Sequence, residues 1–260
     1  MSARYGKERV SRGLLHFAAG KALSATCGFL AMVLVVRLLS VQDFANYSVL
    51  VALIEVATAI SGLGISHALL RYVPELYAKH YVVALRRFVA SAVTLRLSCL
   101  LLVVGIAWAL APAGAPLIGM AGAIGAAKLY LLIVVIRTSS HFLSQILEST
   151  LHQGVAQIGF SLAAFGRLVG MLYLLHVGEA GLVEVIWVEI FSDLVCLAVM
   201  LIGAVRVIWE RVALQPPGDD RHWLDQNTPQ IVRFALSGYL QHLVGLPFGG
   251  NTNRLVGGTL

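Results

Sequence analysis

Long apolar runs separated by short polar segments dominate the sequence. A helix needs roughly 20 apolar residues to cross a hydrocarbon core about 30 Å thick, and most of these runs reach that length. The pattern therefore predicts an all-α fold, a polytopic bundle of six or seven transmembrane helices. We expect the helices at residues 13–39, 44–70, 82–111, 128–151, 155–177 and 181–208, with a seventh that begins at residue 231.

Two junctions between these runs deserve separate predictions. Only residues 40–43 separate the first two helices, so we expect those helices to be antiparallel neighbours. Two prolines are expected to end the third helix, and the Gly- and Ala-rich stretch 117–127 that follows is too short to span. We place a short helix there, at the outer interface. Alternatively, the fourth spanning helix lies at 117–136, which would put Arg137 in a loop.

The composition excludes a soluble globular domain. Hydrophobic residues make up 58% of the chain and charged residues only 12%, whereas a soluble domain carries about 25% charged residues. Too few polar side chains remain to cover a surface that faces water. Cys27, Cys99 and Cys196 each lie inside an apolar run without a paired spacing, so we expect them to be small packing residues.

The sequence contains no recognisable catalytic or cofactor-binding motif. It has no GxSxG, no HExxH and no phosphate-binding loop. We therefore predict no enzyme activity, no cofactor and no metal. The formal net charge is +6, but the cations lie between apolar runs rather than on one face, which argues against a nucleic-acid partner.

The distribution of these cations predicts the orientation in the membrane. If the N-terminus is cytoplasmic, the outer segments hold few cations beyond Arg37, Lys128 and Arg254. This asymmetry is typical of the positive-inside rule, so we predict a cytoplasmic N-terminus. The inner segments then hold Arg4, Lys7, Arg9, Arg12, Arg71, Lys79, Arg86, Arg87, Arg206, Arg211, Arg221 and Arg233.

Ionisable residues also occur inside the apolar runs, where each costs about 2.5–3.5 kcal/mol on insertion scales. Such residues usually face a bundle interior, so we expect these to converge on one cavity, with Lys21, Arg137 and Arg167 lining a shared space. Helical spacing adds a polar stripe of Arg137, His141, Ser144 and Glu148. The alternatives are that Glu189 and Asp193 pair with the arginines as buried ion pairs, that Arg96 reaches an interface, and that His141 bonds a neighbouring helix. The ionisable set is Lys21, Glu55, Arg96, Arg137, Arg167, Glu189 and Asp193.

One stretch carries a resemblance to a known family. Residues 36–47 read VRLLSVQDFANY, which resembles the junction of the first two helices in polysaccharide flippases, with Ala45 in place of the usual glycine. The glycines Gly62 and Gly64 and the segment LRYVPE at 70–75 are similar to the family's second helix and inner loop, which holds Arg71 and Glu75. The specific motif covers about residues 13–80.

The resemblance implies an exporter of lipid-linked oligosaccharides in the bacterial cytoplasmic (inner) membrane, in one superfamily with drug-exporting MATE proteins. Such a protein has two helical lobes. Residues 1–208 would form the N-terminal six-helix lobe, 209–230 a cytoplasmic linker, and 231–260 the start of a second lobe. A Gly-rich turn at 249–253 precedes what looks like the opening of another helix, so we expect a partial chain that does not transport by itself.

The implied mechanism is alternating access around a cationic cavity. The substrate would be an undecaprenyl-diphosphate glycan, and membrane lipid and components of a polysaccharide polymerase or synthase would be the other partners. The implied substrate-binding residues are Lys21, Arg137, Arg167, His141 and Arg96. Glu55, Glu189 and Asp193 would carry a coupling ion or balance charge.

Two other functions remain open from the sequence. A MATE-type antiporter for organic cations would need a net acidic, aromatic-lined cavity, whereas here the deep cations at least match the deep anions. A non-transporting membrane subunit of a glycan synthase would need no second lobe.

Overall fold

The structure, a computed structural model, describes residues 7–117, 119–178, 180–213 and 222–245, and every regular element in these residues is helical. The predicted all-α bundle is therefore confirmed. A short 3-10 turn, Ala121–Ala123, precedes the fifth helix. The eight α-helices are α1 (Lys7–Leu38), α2 (Val41–Ser61), α3 (Ile65–Ala78), α4 (Val82–Leu117), α5 (Ile124–Ser149), α6 (Gln153–Val177), α7 (Leu182–Ala213) and α8 (Trp223–Gly245).

Six helices in the described residues are long and apolar enough to cross a membrane. Helix α3 has only 14 residues, about 21 Å at the helical rise, which is too short to span. Helix α8 lies outside the set of six. The spans are Ala18–Leu38, Val41–Ser61, Val82–Pro116, Ile124–Ser149, Gln153–Val177 and Leu182–Ile208.

The second predicted helix, 44–70, is wrong as a single helix. Helix α2 ends at Ser61, and Leu63 and Gly64 both have positive φ angles, of 43° and 67°. Left-handed residues end an α-helix, and glycine adopts that conformation without steric cost. A new helix, α3, begins at Ile65 and carries Arg71 and Glu75, which the sequence placed in a loop.

The third predicted helix ends too early. Helix α4 runs through Pro112 and Pro116 to Leu117, because membrane helices tolerate prolines whose freed backbone groups are satisfied by other means. The short helix predicted at 117–127 is wrong as well, because α4 ends at Leu117, the 3-10 turn follows at Ala121–Ala123, and α5 already begins at Ile124. Helix α5 excludes the alternative placement of the fourth spanning helix, so Arg137 lies in mid-helix.

The predicted linker 209–230 is partly helical at both ends. Helix α7 continues to Ala213, and α8 begins at Trp223 instead of residue 231. The Gly-rich turn at 249–253 and Arg254 lie outside the described residues. The division into two lobes stays a prediction.

Helix α1 packs mainly along α6. The short junction at residues 40–43 had instead led us to expect α2 as its main neighbour. Gly20 lies against Gln157, and the hydroxyls of Ser24 and Ser161 are 2.9 Å apart, so the two helices run in the same direction. Helices α6 and α7 are antiparallel, since Gly159 lies against Met200 and Gly170 lies against Val188. They approach closely at these glycines and at Gly166, which contacts the side chain of Ser192. Small residues allow such close contact between helices in a membrane.

Helix α8 packs against the break between α2 and α3. A side chain at Gly64 would strike the backbone carbonyl of Ala235, and one at Gly238 would strike the ring of His67. Tyr72 of α3 adds edge-to-face contacts with three aromatic rings, those of Phe88, Trp223 and Phe234. The break thus forms a surface onto which α8 fits.

Candidate functional site

Asp193 of α7 holds two arginines from neighbouring helices at the centre of the bundle. Its Oδ1 accepts a hydrogen bond of 2.8 Å from Arg167 Nη2 of α6, and its Oδ2 accepts one of 2.8 Å from Arg137 Nε of α5. Arg137 Nη2 also lies 2.7 Å from Oδ2. One carboxylate therefore bridges two guanidinium groups through charge-assisted bonds, which are among the stronger hydrogen bonds in proteins.

Glu189 lies one helical turn before Asp193 and completes the cluster. Its Oε1 accepts a bond of 2.6 Å from the hydroxyl of Tyr47, and its Oε2 accepts bonds of 3.1 Å from Arg137 Nη2 and 3.3 Å from the Tyr130 hydroxyl. Arg167 Nε lies 3.8 Å from Oε1. Helices α2, α5, α6 and α7 thus all contribute to one network.

The two carboxylates of the network are buried, whereas the two arginine side chains are partly exposed. Glu189 is 1% exposed and Asp193 5% exposed, whereas the side chains of Arg137 and Arg167 are 20% and 22% exposed. Two cations face two anions, so the charges balance. The predicted alternative of buried ion pairs is therefore confirmed, and the pairing offsets the cost of placing these groups in the bilayer.

The exposed parts of the two arginines face a cavity of about 200 Å³ between α5, α6 and α7. His141, one turn after Arg137, lies at this cavity with its ring 5.2 Å from that of Phe160. Both arginines thus line the same cavity. Its lining residues are Arg137, Ser140, His141, Phe160, Ala163, Ala164, Arg167, Asp193 and Cys196.

Two of the predicted deep charges lie elsewhere. Lys21 is exposed on α1 and Glu55 is exposed on α2, and neither lines this cavity. The expectation that Lys21 shares one space with Arg137 and Arg167 is therefore wrong for this cavity. The reason is the packing of α1, which presents Gly20 and Ser24 to α6, so that Lys21 lies on another face of the helix.

Arg96 is also separate from the cavity, at the end of α2. It is 4% exposed, and its Nη2 donates a hydrogen bond of 3.3 Å to the carbonyl of Thr58. In a continuing helix that carbonyl would accept the N–H of Gly62, which here bonds Ala59 instead. A cation at the carboxyl end of a helix is favoured by the helix dipole. This contact ties Arg96 to the end of α2, while its Nε and Nη1 are buried without a hydrogen-bond partner among the described residues. The predicted role of Arg96 in binding substrate stays a prediction.

The two residues predicted for the inner loop lie on α3, remote from the cavity. The guanidinium of Arg71 lies 4.6 Å from the ring centre of Phe234, a cation–π contact with α8. Glu75 pairs with Lys79 at 2.7 Å, and this hydrogen bond raises the pKa of the Lys79 ammonium. Both residues thus support α3 and its contacts.

The sequence interpretation missed Tyr47 and Tyr130. Each lies in an apolar run in which an aromatic side chain is unremarkable, and the hydroxyl was the one available signal. A buried tyrosine hydroxyl usually needs a partner, so its presence at mid-helix pointed to a polar group on another helix. Tyr47 also closes the VRLLSVQDFANY stretch, and its bond to Glu189 ties that stretch to α7.

No cluster of three or more His, Cys, Asp or Glu side chains suited to a metal ion is found within the described ranges.

Comparison with known proteins gives one positive finding. The family model described as polysaccharide biosynthesis protein matches residues 10–253, nearly the whole chain. No curated protein and no solved structure matched in the other two comparisons. A match of this extent, together with six apolar helices, fits a multi-pass membrane transporter concerned with polysaccharide. The chain therefore belongs to the polysaccharide biosynthesis protein family.

Proposed function

We propose that the protein is a flippase, which moves an undecaprenyl-diphosphate oligosaccharide across the bacterial cytoplasmic membrane by alternating access. The observation that carries this proposal is that Arg137 and Arg167 line one cavity in the bundle, each with about a fifth of its side chain exposed. Family membership supports a glycan as the cargo.

The chemistry of the site suits a diphosphate. A guanidinium group presents a planar fork of donors that matches a phosphate, and two guanidinium groups side by side match two phosphates. The cavity, at about 200 Å³, is below the 300–1,000 Å³ typical of ligand pockets. We infer that it takes the charged headgroup, while the glycan lies outside this cavity.

Asp193 is a partner that the two arginines can exchange for a bound diphosphate. Because this one carboxylate holds both arginines, a diphosphate that binds them competes with Asp193 for the same donors. Release of Asp193 and Glu189 leaves two buried carboxylates in need of a cation. We propose that these two residues take up the coupling ion at that step.

The proposal is tested by complementation. The chain is expressed, alone and together with the second half of a flippase of the same family, in a bacterial strain that lacks its own polysaccharide flippase, and surface glycan is measured. We expect the double variant Arg137→Gln with Arg167→Gln to lower surface glycan about tenfold or more, because each lost charged hydrogen bond is worth about 1.5–3 kcal/mol. Arg87→Gln, at an exposed arginine outside this cavity, is the matched control.

Two outcomes would count against the proposal. Full surface glycan from the double variant, at equal protein levels in the membrane, would show that the arginines do not bind the substrate. The mass of the lipid-linked glycan separates transport from catalysis, since a flippase leaves it unchanged. A changed mass on expression of the chain would identify an enzyme.

A further inference from the structure

A second cavity lies on the outer surface of the bundle, between the beginning of α6 and the end of α7. Its volume is about 310 Å³. Because α1 and α6 are parallel, it lies at the end of the bundle where α1 begins. Its walls are formed by His152 and Val155 on one side and by Val199, Ile202, Gly203 and Arg206 on the other.

The end of this groove nearest the membrane surface is basic. Arg206 is exposed and forms no ion pair with any described residue. His152 precedes the first turn of α6 and does not cap it with its side chain, so the free N–H groups of that turn add partial positive charge. His152 Nδ1 donates a bond of 2.8 Å to the carbonyl of Thr150, which leaves Nε2 as the ring nitrogen that can accept a hydrogen bond.

The rest of the groove is apolar. Ile202 is 55% exposed, and Val199, about two helical turns from Arg206, continues the wall some 10 Å deeper into the bilayer. Leu151, at the tip of the turn between α5 and α6, is 81% exposed and lies beside the basic end. A cationic end followed by an apolar channel of this length is complementary to a phosphate headgroup and the upper part of an acyl chain.

We propose that this groove binds an anionic phospholipid of the surrounding bilayer, with its phosphate at Arg206, a headgroup hydroxyl that donates to His152 Nε2, and an acyl chain along Val199 and Ile202. Basic pockets between transmembrane helices on the cytoplasmic side bind anionic headgroups. This inference goes beyond the proposed flippase activity and does not depend on it, since none of these residues lines the central cavity.

A second basic groove provides the contrast. A cavity of the same volume, about 310 Å³, is lined by Val82, Val83, Arg86, Arg87 and Ala90. All of these come from one helix, α4, so this groove lacks a second wall to hold an acyl chain. The groove on α4 has two arginines and one wall, whereas the groove at Arg206 has one arginine and two walls. Comparing lipid retention at the two therefore shows whether shape or charge determines binding.

The test is retention of lipid by the purified full chain. The protein is reconstituted in nanodiscs of phosphatidylglycerol and phosphatidylcholine, released into detergent, and its bound lipids are counted by native mass spectrometry. We expect wild-type protein to retain phosphatidylglycerol in preference to phosphatidylcholine. Arg206→Gln should weaken this retention about fivefold, as expected for a loss of about 1 kcal/mol per basic residue.

Two further variants make the result decisive. Ile202→Trp fills the apolar part of the groove at an exposed position and should also release the lipid, whereas Arg87→Gln should have little effect. Equal losses from Arg206→Gln and Arg87→Gln would indicate general charge attraction and overturn the site. A loss from Arg206→Gln without one from Ile202→Trp would overturn the acyl channel, and retention unchanged in both would overturn the whole proposal.

Discussion

At the scale of single residues, the cluster around Glu189 shows how buried acids are held in an apolar bundle. Glu189 accepts hydrogen bonds from two tyrosines and from Arg137, at distances from 2.6 to 3.3 Å, and forms a longer ion pair of 3.8 Å with Arg167 Nε. The shorter contacts dominate, since hydrogen bonds weaken beyond about 3.2 Å. Tyr47 and Tyr130 therefore contribute unequally, although both are buried and both point at one carboxylate.

The two tyrosines give a matched pair of variants. Tyr47→Phe removes the 2.6 Å bond and should lower the free energy of unfolding by about 2 kcal/mol, the usual range for a bond to a charged group. Tyr130→Phe removes the 3.3 Å bond and should cost less than about 1 kcal/mol. Unfolding of the purified protein in detergent measures both, and an equal or larger loss from Tyr130→Phe would contradict the geometry.

At the scale of helices, glycine determines where elements break and where they approach. Gly64 combines a φ of 67° with a position directly against the carbonyl of Ala235. Either feature alone would disfavour a side chain at position 64. Together they determine where α2 ends and where α8 packs. Gly105 of α4, by contrast, has open space around its Cα.

Gly64→Ala is expected to disturb this junction. The positive φ alone costs a non-glycine residue about 1–2 kcal/mol, and the added methyl group must also displace α8. We expect a lower melting temperature in detergent and weaker cross-linking between cysteines placed at positions 67 and 238. Gly105→Ala serves as the control and should be neutral or stabilising by up to about 1 kcal/mol. Wild-type behaviour of Gly64→Ala would be incompatible with the described junction.

The sequence was enough to predict that the spanning helices exist, but it was not enough to predict where they break. Length and hydropathy place the spans, because the bilayer imposes one thickness on all of them. The end of α2 depends on the backbone angles of Leu63 and Gly64 and on contact with α8, which no local pattern records. The site shows the same division: the deep charges were visible in the sequence, but which of them meet depends on packing between distant helices. Arg137, Arg167, Glu189 and Asp193 converge, whereas Lys21, Glu55 and Arg96 lie apart.

At the scale of the whole molecule, the direction of the helices links the charge distribution to topology. Parallel packing of α1 with α6, and antiparallel packing of α6 with α7, place the beginning of α1, the beginning of α6 and the end of α7 on one side. Lys79 at the end of α3 and Arg206 near the end of α7 are exposed there. We predict that this side is cytoplasmic.

Labelling of single cysteines tests the orientation. In a background without Cys27, Cys99 and Cys196, Lys79→Cys should react with an impermeant thiol reagent only after the membrane is permeabilised. Gly122→Cys, exposed between α4 and α5 with open space around it, should react in intact cells. The reverse pattern would show that the N-terminus faces outward.

The partnership of α1 with α6 also bears on how the chain is made. Ser24 and Ser161, which meet across this seam, are 137 residues apart in sequence. At a synthesis rate of about 5–20 residues per second, α1 enters the bilayer roughly ten seconds before its main partner exists. During that interval Gly20 and Ser24 lie on a helix without its final neighbour, so lipid or an insertase must cover this face of α1 in the nascent chain.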